Sequence, residues 1–132
     1  LKEMEKGNFN KESSLSEYLN FKREILEEGR AVYSCIITKE VSNRMNMAHG
    51  GLMLALADHA MGMAFDKTCN NYVTTDVNYR FLKAAPIGEK VYAEAKIVRQ
   101  GRSIMVAECR LRCNGELIGI AGAQLYRLND GK

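Results

Sequence analysis

No two cysteines in the chain are spaced as CxxC, no apolar run reaches bilayer length, and neither sign of charge dominates. Each shortage closes off a class of function. Cys35, Cys69, Cys109 and Cys113 lack the spacing of a redox motif or of zinc ligands, so free thiols in a reducing cytoplasm and no metal site are expected. The longest apolar stretch, His49 to Phe65, is broken by Asp58 and His59 and falls short of the roughly 20 residues a spanning helix needs. No segment reads as a secretory leader. A soluble, cytoplasmic protein without membrane association is therefore expected. Nineteen Lys and Arg against sixteen Asp and Glu leave a net charge of +3, too mild to argue for nucleic acid. Residues 1–30 hold six basic and seven acidic residues, leaving thirteen against nine for residues 31–132. That surplus suits an anionic small ligand or nothing at all, and charge alone favours the second.

What is present is globular. The 132 residues, 46% apolar and 27% charged, make one domain with a real core, and no repeat or low-complexity tract divides them. Residues 1–12 are polar and read as a frayed tail. "SSLSEYLNFKREILEEG" then carries Leu15, Leu19, Phe21, Ile25 and Leu26 at near-helical spacing, with Ser13 or Ser14 as N-cap and Gly29 at the end. An amphipathic surface helix is expected there, so that residues 1–30 form a tail and helix and 31–132 the domain proper.

From Arg30, "AVYSCIITKEV" is β-branched and aromatic and reads as a strand; "SNRMNMA" is a loop. "HGGLMLALADHAMGMAF" favours helix and is apolar nearly all round, the pattern of a helix buried on every side. Three alternating runs follow. Val73, Thr75, Val77, Tyr79 and Phe81 share one face, as do Val91, Ala93, Ala95 and Ile97, and Met105, Ala107, Cys109, Leu111 and Cys113. Gln100-Gly101 separates the last two, and Asn114-Gly115, a strong hairpin signal, leads into "ELIGIAGAQLYRL". The expected architecture is α+β: about five antiparallel strands curled around one long central helix, with a second helix at the N-terminus.

At "NRMNMAHGGLMLALAD", Asn43 to Asp58, the chain strongly resembles the hot dog-fold acyl-CoA thioesterases, the PaaI-like group of the 4-hydroxybenzoyl-CoA thioesterase superfamily. Asn, five residues, His-Gly-Gly, then Asp seven positions after the second Gly match that pattern. "VTTDVNYRFLKAAPIGE" and "VRQGRS" resemble the family's second strand and coenzyme-side hairpin, so the resemblance runs over about residues 31 to 128. Asn46 departs from it, standing where the family commonly has Gly; Asn tolerates the same left-handed backbone.

A thioester hydrolase needs an attacking water or carboxylate and donors for the developing oxyanion. A mid-helix Asp is as readily a solvent-facing or hydrogen-bonded core acid as a functional one, and apolar surroundings tip Asp58 toward function. The resemblance implies that Asp58 is the general base or nucleophile and that the Gly50 backbone NH, at a positive helix end, polarises the carbonyl. Beside Gly51, Gly50 otherwise reads as a packing glycine. His49, by itself a cap or surface residue, is implied to orient the substrate carbonyl; Asn43, by itself a loop residue, to position water or carbonyl; and Thr74, by itself a strand former, to bring a hydroxyl near the attacking water.

Gly51, Phe81 and Ser103 fall at implied substrate contacts, and Lys83, Arg99, Gly101 and Arg102 where the family holds the nucleotide and pantetheine. The resemblance also implies a homodimer with shared active sites, assembled as a dimer of dimers, acyl-CoA as the partner molecule and no separate cofactor, coenzyme A being part of the substrate. Two other classes share the fold. A non-catalytic acyl-CoA sensor would lack the acid, and a hydratase or dehydratase would carry its His and acid in a different motif. The acyl group is not readable from the Leu, Met and Phe types available. Gly50 and Asp58 also stand eight positions apart, about 12 Å along a helix, so one carbonyl cannot touch both in the same chain.

Overall fold

The structure, a computed structural model, describes residues 12–65 and 71–128; the polar tail before Glu12 lies outside them, as does Cys69. A short helix, α1 (Ser14–Tyr18), is followed by strands β1 (Lys22–Glu27) and β2 (Arg30–Ile36). A 3-10 turn at Lys39–Val41 leads to the central helix α2 (Gly50–Met63), then β3 (Tyr72–Phe81), β4 (Lys90–Gln100), β5 (Ile104–Cys113) and β6 (Glu116–Arg127). The six strands form one antiparallel sheet in the order β1-β2-β4-β5-β6-β3. This is the hot dog fold. No helix among the described residues is long and apolar enough to cross a membrane.

The N-terminal helix is much shorter than its periodicity suggests. Ser13 caps it, accepting the Ser16 N–H at 3.0 Å, but Asn20 takes a left-handed φ of 60° and ends it. Residues 22–27 instead pair with β2, and Gly29, expected to close a helix, has φ 81° in the tight turn between the two strands. The physical reason is the open edge of β2: a full row of backbone hydrogen bonds outweighs a weak local helical preference. The sheet therefore has a sixth strand.

Two hairpins fall where the sequence puts them. Asn114 and Gly115 both have positive φ, 52° and 77°, as an Asn-Gly two-residue turn requires, and the Gly101 N–H donates to the Ile104 carbonyl at 3.0 Å. A Cβ on Gly101 would stand 2.7 Å from that carbonyl oxygen, so the turn admits glycine alone. Asn46 is left-handed, with φ 61°.

The inner face of the sheet is lined with small residues, Ala93, Ala95, Ala107, Cys109, Ala121 and Ala123, all buried, which lets α2 lie close with Leu52, Met53, Leu56 and Met61 packed inward. Cys35, Cys109 and Cys113 are buried free thiols. Burial pushes the Cys35 thiol up to about 11 and raises Cys109 and Cys113 above their ordinary value too.

The central helix is not closed on every side. Gly51 is exposed and Leu54, Ala55, Asp58, His59 and Gly62 are only half-buried, an i, i+3, i+4, i+7 stripe that no other described element fully covers. β3 is open as well. It is an edge strand, with Val73 44% and Phe81 61% exposed, so its apolar alternation does not translate into burial within one chain.

Candidate active site

Asp58 lies on the open stripe of α2, and its Oδ1 accepts a hydrogen bond from Thr74 Oγ1 at 3.0 Å. It is thus a half-exposed carboxylate at the wall of a cleft, which explains how an apolar helix tolerates it. The contact depends on an irregularity in β3. Strict alternation back from Val77 would place Thr75 and Val73 on the inner face and Thr74 outside. The register slips between Thr74 and Asp76, so that Thr74 pairs with buried Leu125 and turns inward, while Thr75 Oγ1 donates to the Gln124 carbonyl at 3.1 Å. A bulge of one residue thereby aims the hydroxyl at the carboxylate.

The other end of the helix is built around its first turn. His49 is the N-cap: its Nδ1 accepts the Gly51 N–H at 2.9 Å. In the neutral ring this puts the proton on Nε2, an outward donor. The Leu52 and Met53 N–H groups are satisfied by the His49 carbonyl, whereas the Gly50 N–H has no partner among the described residues and stands at the positive end of the helix. A Cβ at Gly50 would meet Phe81 Cζ at 3.2 Å, so Phe81 lies directly over this turn. Asn43 shapes the approach. Its Oδ1 accepts the Met45 and Met47 N–H groups at 2.8 and 3.1 Å, and the loop is pinned by the Ala48 N–H donating to the Ala85 carbonyl at 2.7 Å.

Sheet register separates the expected coenzyme contacts. Gln100, Met105, Leu125 and Thr74 form one row across four strands. The hairpin with Arg99, Gly101, Arg102 and Ser103 therefore lies at the Asp58 end of the sheet, and the Ser103 carbonyl accepts the Arg127 N–H at 2.7 Å. Lys83 lies beyond Phe81 at the Gly50 end, where its Nζ pairs with Glu116 at 2.8 Å. One chain thus holds two half-sets: Asp58, Thr74 and the Arg99–Ser103 hairpin, and Gly50, Gly51, His49, Asn43, Phe81 and Lys83.

A cleft of about 640 Å³ opens beside Asp58 and Thr74. Its far wall is the N-terminal segment from Glu12 to Glu17, with Phe21, Ala55, His59, Gly62, Met63 and Tyr72 completing it. Residue patterns do not foretell this wall, because it depends on contacts far apart in sequence, the longest spanning 47 positions: Glu12 Oε1 bonds His59 Nε2 at 2.8 Å. The signal available in sequence was a second ionisable residue, His59, in an otherwise apolar helix.

The sequence pattern of the family described as "Thioesterase superfamily" matches residues 45–120, more than half of the chain. The chain belongs to the thioesterase superfamily. An Archaeoglobus fulgidus protein described as "Putative esterase" is 33% identical over 122 residues, 91% of this chain and 79% of that one. Mouse acyl-coenzyme A thioesterase 13 is 30% identical over 86 residues, 62% and 61% of the two chains. Among solved structures, the E. coli PaaI protein from the phenylacetic acid degradation operon superposes with a TM-score of 0.81 at 22% identity, over 85% of this chain and 86% of that one. The smu.793 protein of Streptococcus mutans, bound to acetyl CoA in its crystal, superposes with a TM-score of 0.80 at 21% identity, over 86% and 92%. Membership of this superfamily, with relatives described as an esterase and an acyl-CoA thioesterase, makes the protein a thioester hydrolase.

Proposed function

We propose that this thioesterase hydrolyses acyl-CoA, with an active site assembled from two copies of the chain. The observation that carries the reading is the division of the candidate residues between opposite ends of β3. If the exposed edge of β3 pairs antiparallel with the same edge of a second copy, ends are exchanged. The Gly50 end of one copy then comes beside the Asp58 end of the other. The exposed apolar residues of β3 and the open stripe of α2 support this pairing, since the outer edge of a ten-residue edge strand is a ready template for another. The mouse relative's name and the acetyl CoA held by the S. mutans protein support coenzyme A as the leaving group.

In this arrangement Thr74 occupies Oδ1 of Asp58 and leaves Oδ2 to take a proton from water. The hydroxide so formed attacks the thioester carbonyl carbon. Negative charge moves to the carbonyl oxygen, held by the Gly50 N–H and the Nε2–H of His49 across the interface. Collapse of the tetrahedral adduct breaks the C–S bond, and the departing thiolate recovers the proton from Asp58. Direct attack by Asp58 on the carbonyl carbon would expel the thiolate and leave a mixed anhydride that water then cleaves to the free acid; rapid-quench mass spectrometry of a single turnover separates the two routes by whether the protein transiently gains the mass of the acyl group. Arg99, Arg102 and Ser103 from the Asp58 side, and Lys83 and Phe81 from the Gly50 side, would then flank one coenzyme.

The test uses two inactive variants. Asp58→Asn removes the base and should cost at least about a hundredfold in turnover. Gly50→Pro deletes the N–H and adds a Cβ to which the Phe81 ring must yield by a few tenths of an ångström: proline is accepted at the first helical position, and His49, at φ −64° and ψ 139°, already has the extended backbone that precedes proline. Co-refolded in equal amounts, the two should recover about a quarter of parent activity, since half of the dimers then carry one intact site of two. A mixture containing mixed dimers that stays as inactive as its components would place the site within one chain.

A further inference from the structure

Glu12 is the most heavily engaged carboxylate among the described residues. Oε2 accepts the Tyr33 hydroxyl at 2.8 Å and pairs with Arg23, Oε1 bonds His59 Nε2, and Arg23 Nε in turn donates to the Tyr33 hydroxyl at 3.1 Å. The His59 ring stands edge-on to Tyr33, with ring centres 4.6 Å apart at 83°. These partners come from β1, β2 and α2, and they fasten the start of the N-terminal segment next to Asp58. The segment itself, Glu12 to Glu17, forms one wall of the cleft that ends at Asp58 and Thr74.

At about 640 Å³ the cleft falls within the range that holds a drug-sized ligand. Its lining is unbalanced in charge. Glu12, Glu17 and Asp58 contribute carboxylates, no Lys or Arg among the described residues lines it, and the one basic group there, His59, already has its Nε2 on Glu12. We propose that residues 12–17, held by Glu12 as a positioning residue, form the acyl-selecting wall of this site, admitting an uncharged acyl chain and rejecting one that ends in a carboxylate. The proposal rests on the acyl-CoA reading above for the identity of the ligand. A further carboxylate brought into the cleft would meet the carboxylates of Asp58 and Glu17, while Arg23 is already taken up by Glu12 and no Lys or Arg among the described residues lines the cleft to receive it.

Binding of non-hydrolysable thioethers tests this without turnover. S-hexyl-CoA should bind the parent at least about tenfold more tightly than S-(5-carboxypentyl)-CoA, by calorimetry. Glu17→Gln, at an exposed position, should narrow that ratio by about threefold to fivefold, as expected of an exposed charge pair. Glu12→Ala should weaken S-hexyl-CoA about tenfold while coenzyme A alone shifts less than twofold, and Glu12→Gln should recover part of the loss. Equal binding of the two thioethers by the parent, or equal weakening of S-hexyl-CoA and coenzyme A by Glu12→Ala, would overturn the proposal; if Glu12→Ala does not fold, the parent and Glu17→Gln decide it. Hydrolysis of hexanoyl-CoA and adipoyl-CoA separates this inference from the reading it rests on. A parent that shows the thioether preference but cleaves neither substrate contradicts the catalytic reading alone; one that cleaves both equally contradicts the wall alone.

Discussion

At the scale of single residues, the contact between Thr74 and Asp58 is the most specific feature of the molecule. A hydroxyl donating to Oδ1 fixes the carboxylate's rotation and, in the proposed mechanism, decides which oxygen is left for water. Thr74→Val keeps the shape and removes the hydrogen bond. Hydrogen bonds to charged groups are worth about 1.5–3 kcal/mol, so kcat should fall by at least about tenfold with KM little changed, and Thr74→Ser should restore most of it. Steady-state kinetics on one acyl-CoA checks this; an unchanged kcat would make Thr74 a bystander. Asp58, Gly50 and His49 could be put forward together as candidates from the sequence because they lie within ten consecutive positions. The direction of Thr74 could not, since alternation alone turns it away from the helix and only the bulge turns it back.

At the scale of elements, the sheet was legible wherever alternation was unbroken. Met105, Ala107, Cys109, Leu111 and Cys113 are all buried as their spacing requires, and Asn114-Gly115 turns where it should. β1 was not legible, because residues 22–27 carry a helix-compatible pattern and their strand state is set by the neighbouring edge of β2, information that lies outside the segment. The same dependence on partners governs β3 and β6. Gly119 faces Phe81 in register, and a Cβ there would collide with the Tyr79 hydroxyl. Tyr79 is itself held in place by its ring contact with Phe81, centroids 4.4 Å apart, and burial pushes its phenol up to about 12. Gly119→Ala should therefore overpack this corner and destabilise the fold by about 1–3 kcal/mol. Urea denaturation gives the shift, and Tyr79→Ala in the same chain should make the added methyl nearly neutral.

At the scale of the whole molecule, the Glu12 cluster links fold stability to pH. Burial pushes His59 below its ordinary 6.5, against the opposing pull of Glu12. Burial alone would raise Glu12, but hydrogen bonds from Tyr33 and His59 and the charge of Arg23 outweigh it and hold Glu12 below 4.5. In both cases the unfolded chain binds protons more readily than the folded one, so stability falls as pH falls. The His59 contribution is complete above about pH 6.5 and is lost below it; that of Glu12 is lost further down, below 4.5. Urea midpoints at pH 8, 6 and 5 should descend, and His59→Gln should flatten the interval between pH 8 and 5. A midpoint constant over that interval in the parent would show that His59 titrates alike in both states.

The buried thiols bear on what becomes of the reaction's own product. Hydrolysis of a thioester releases a thiol, and a nucleophilic cysteine nearby could capture the substrate's acyl group by transthioesterification, or exchange with the oxidised, disulfide form of the released thiol to give a mixed disulfide. Both reactions need thiolate. Cys35, Cys109 and Cys113 are sealed against the sheet with their proton affinity raised, so the core is chemically deaf to the compound made at its surface. In a Cys69→Ser chain, a disulfide reagent should label no thiol in the native state and all of the remaining ones after denaturation. Incubation with oxidised coenzyme A should likewise leave the native mass unchanged, and any native adduct would show that the core opens on the time scale of turnover.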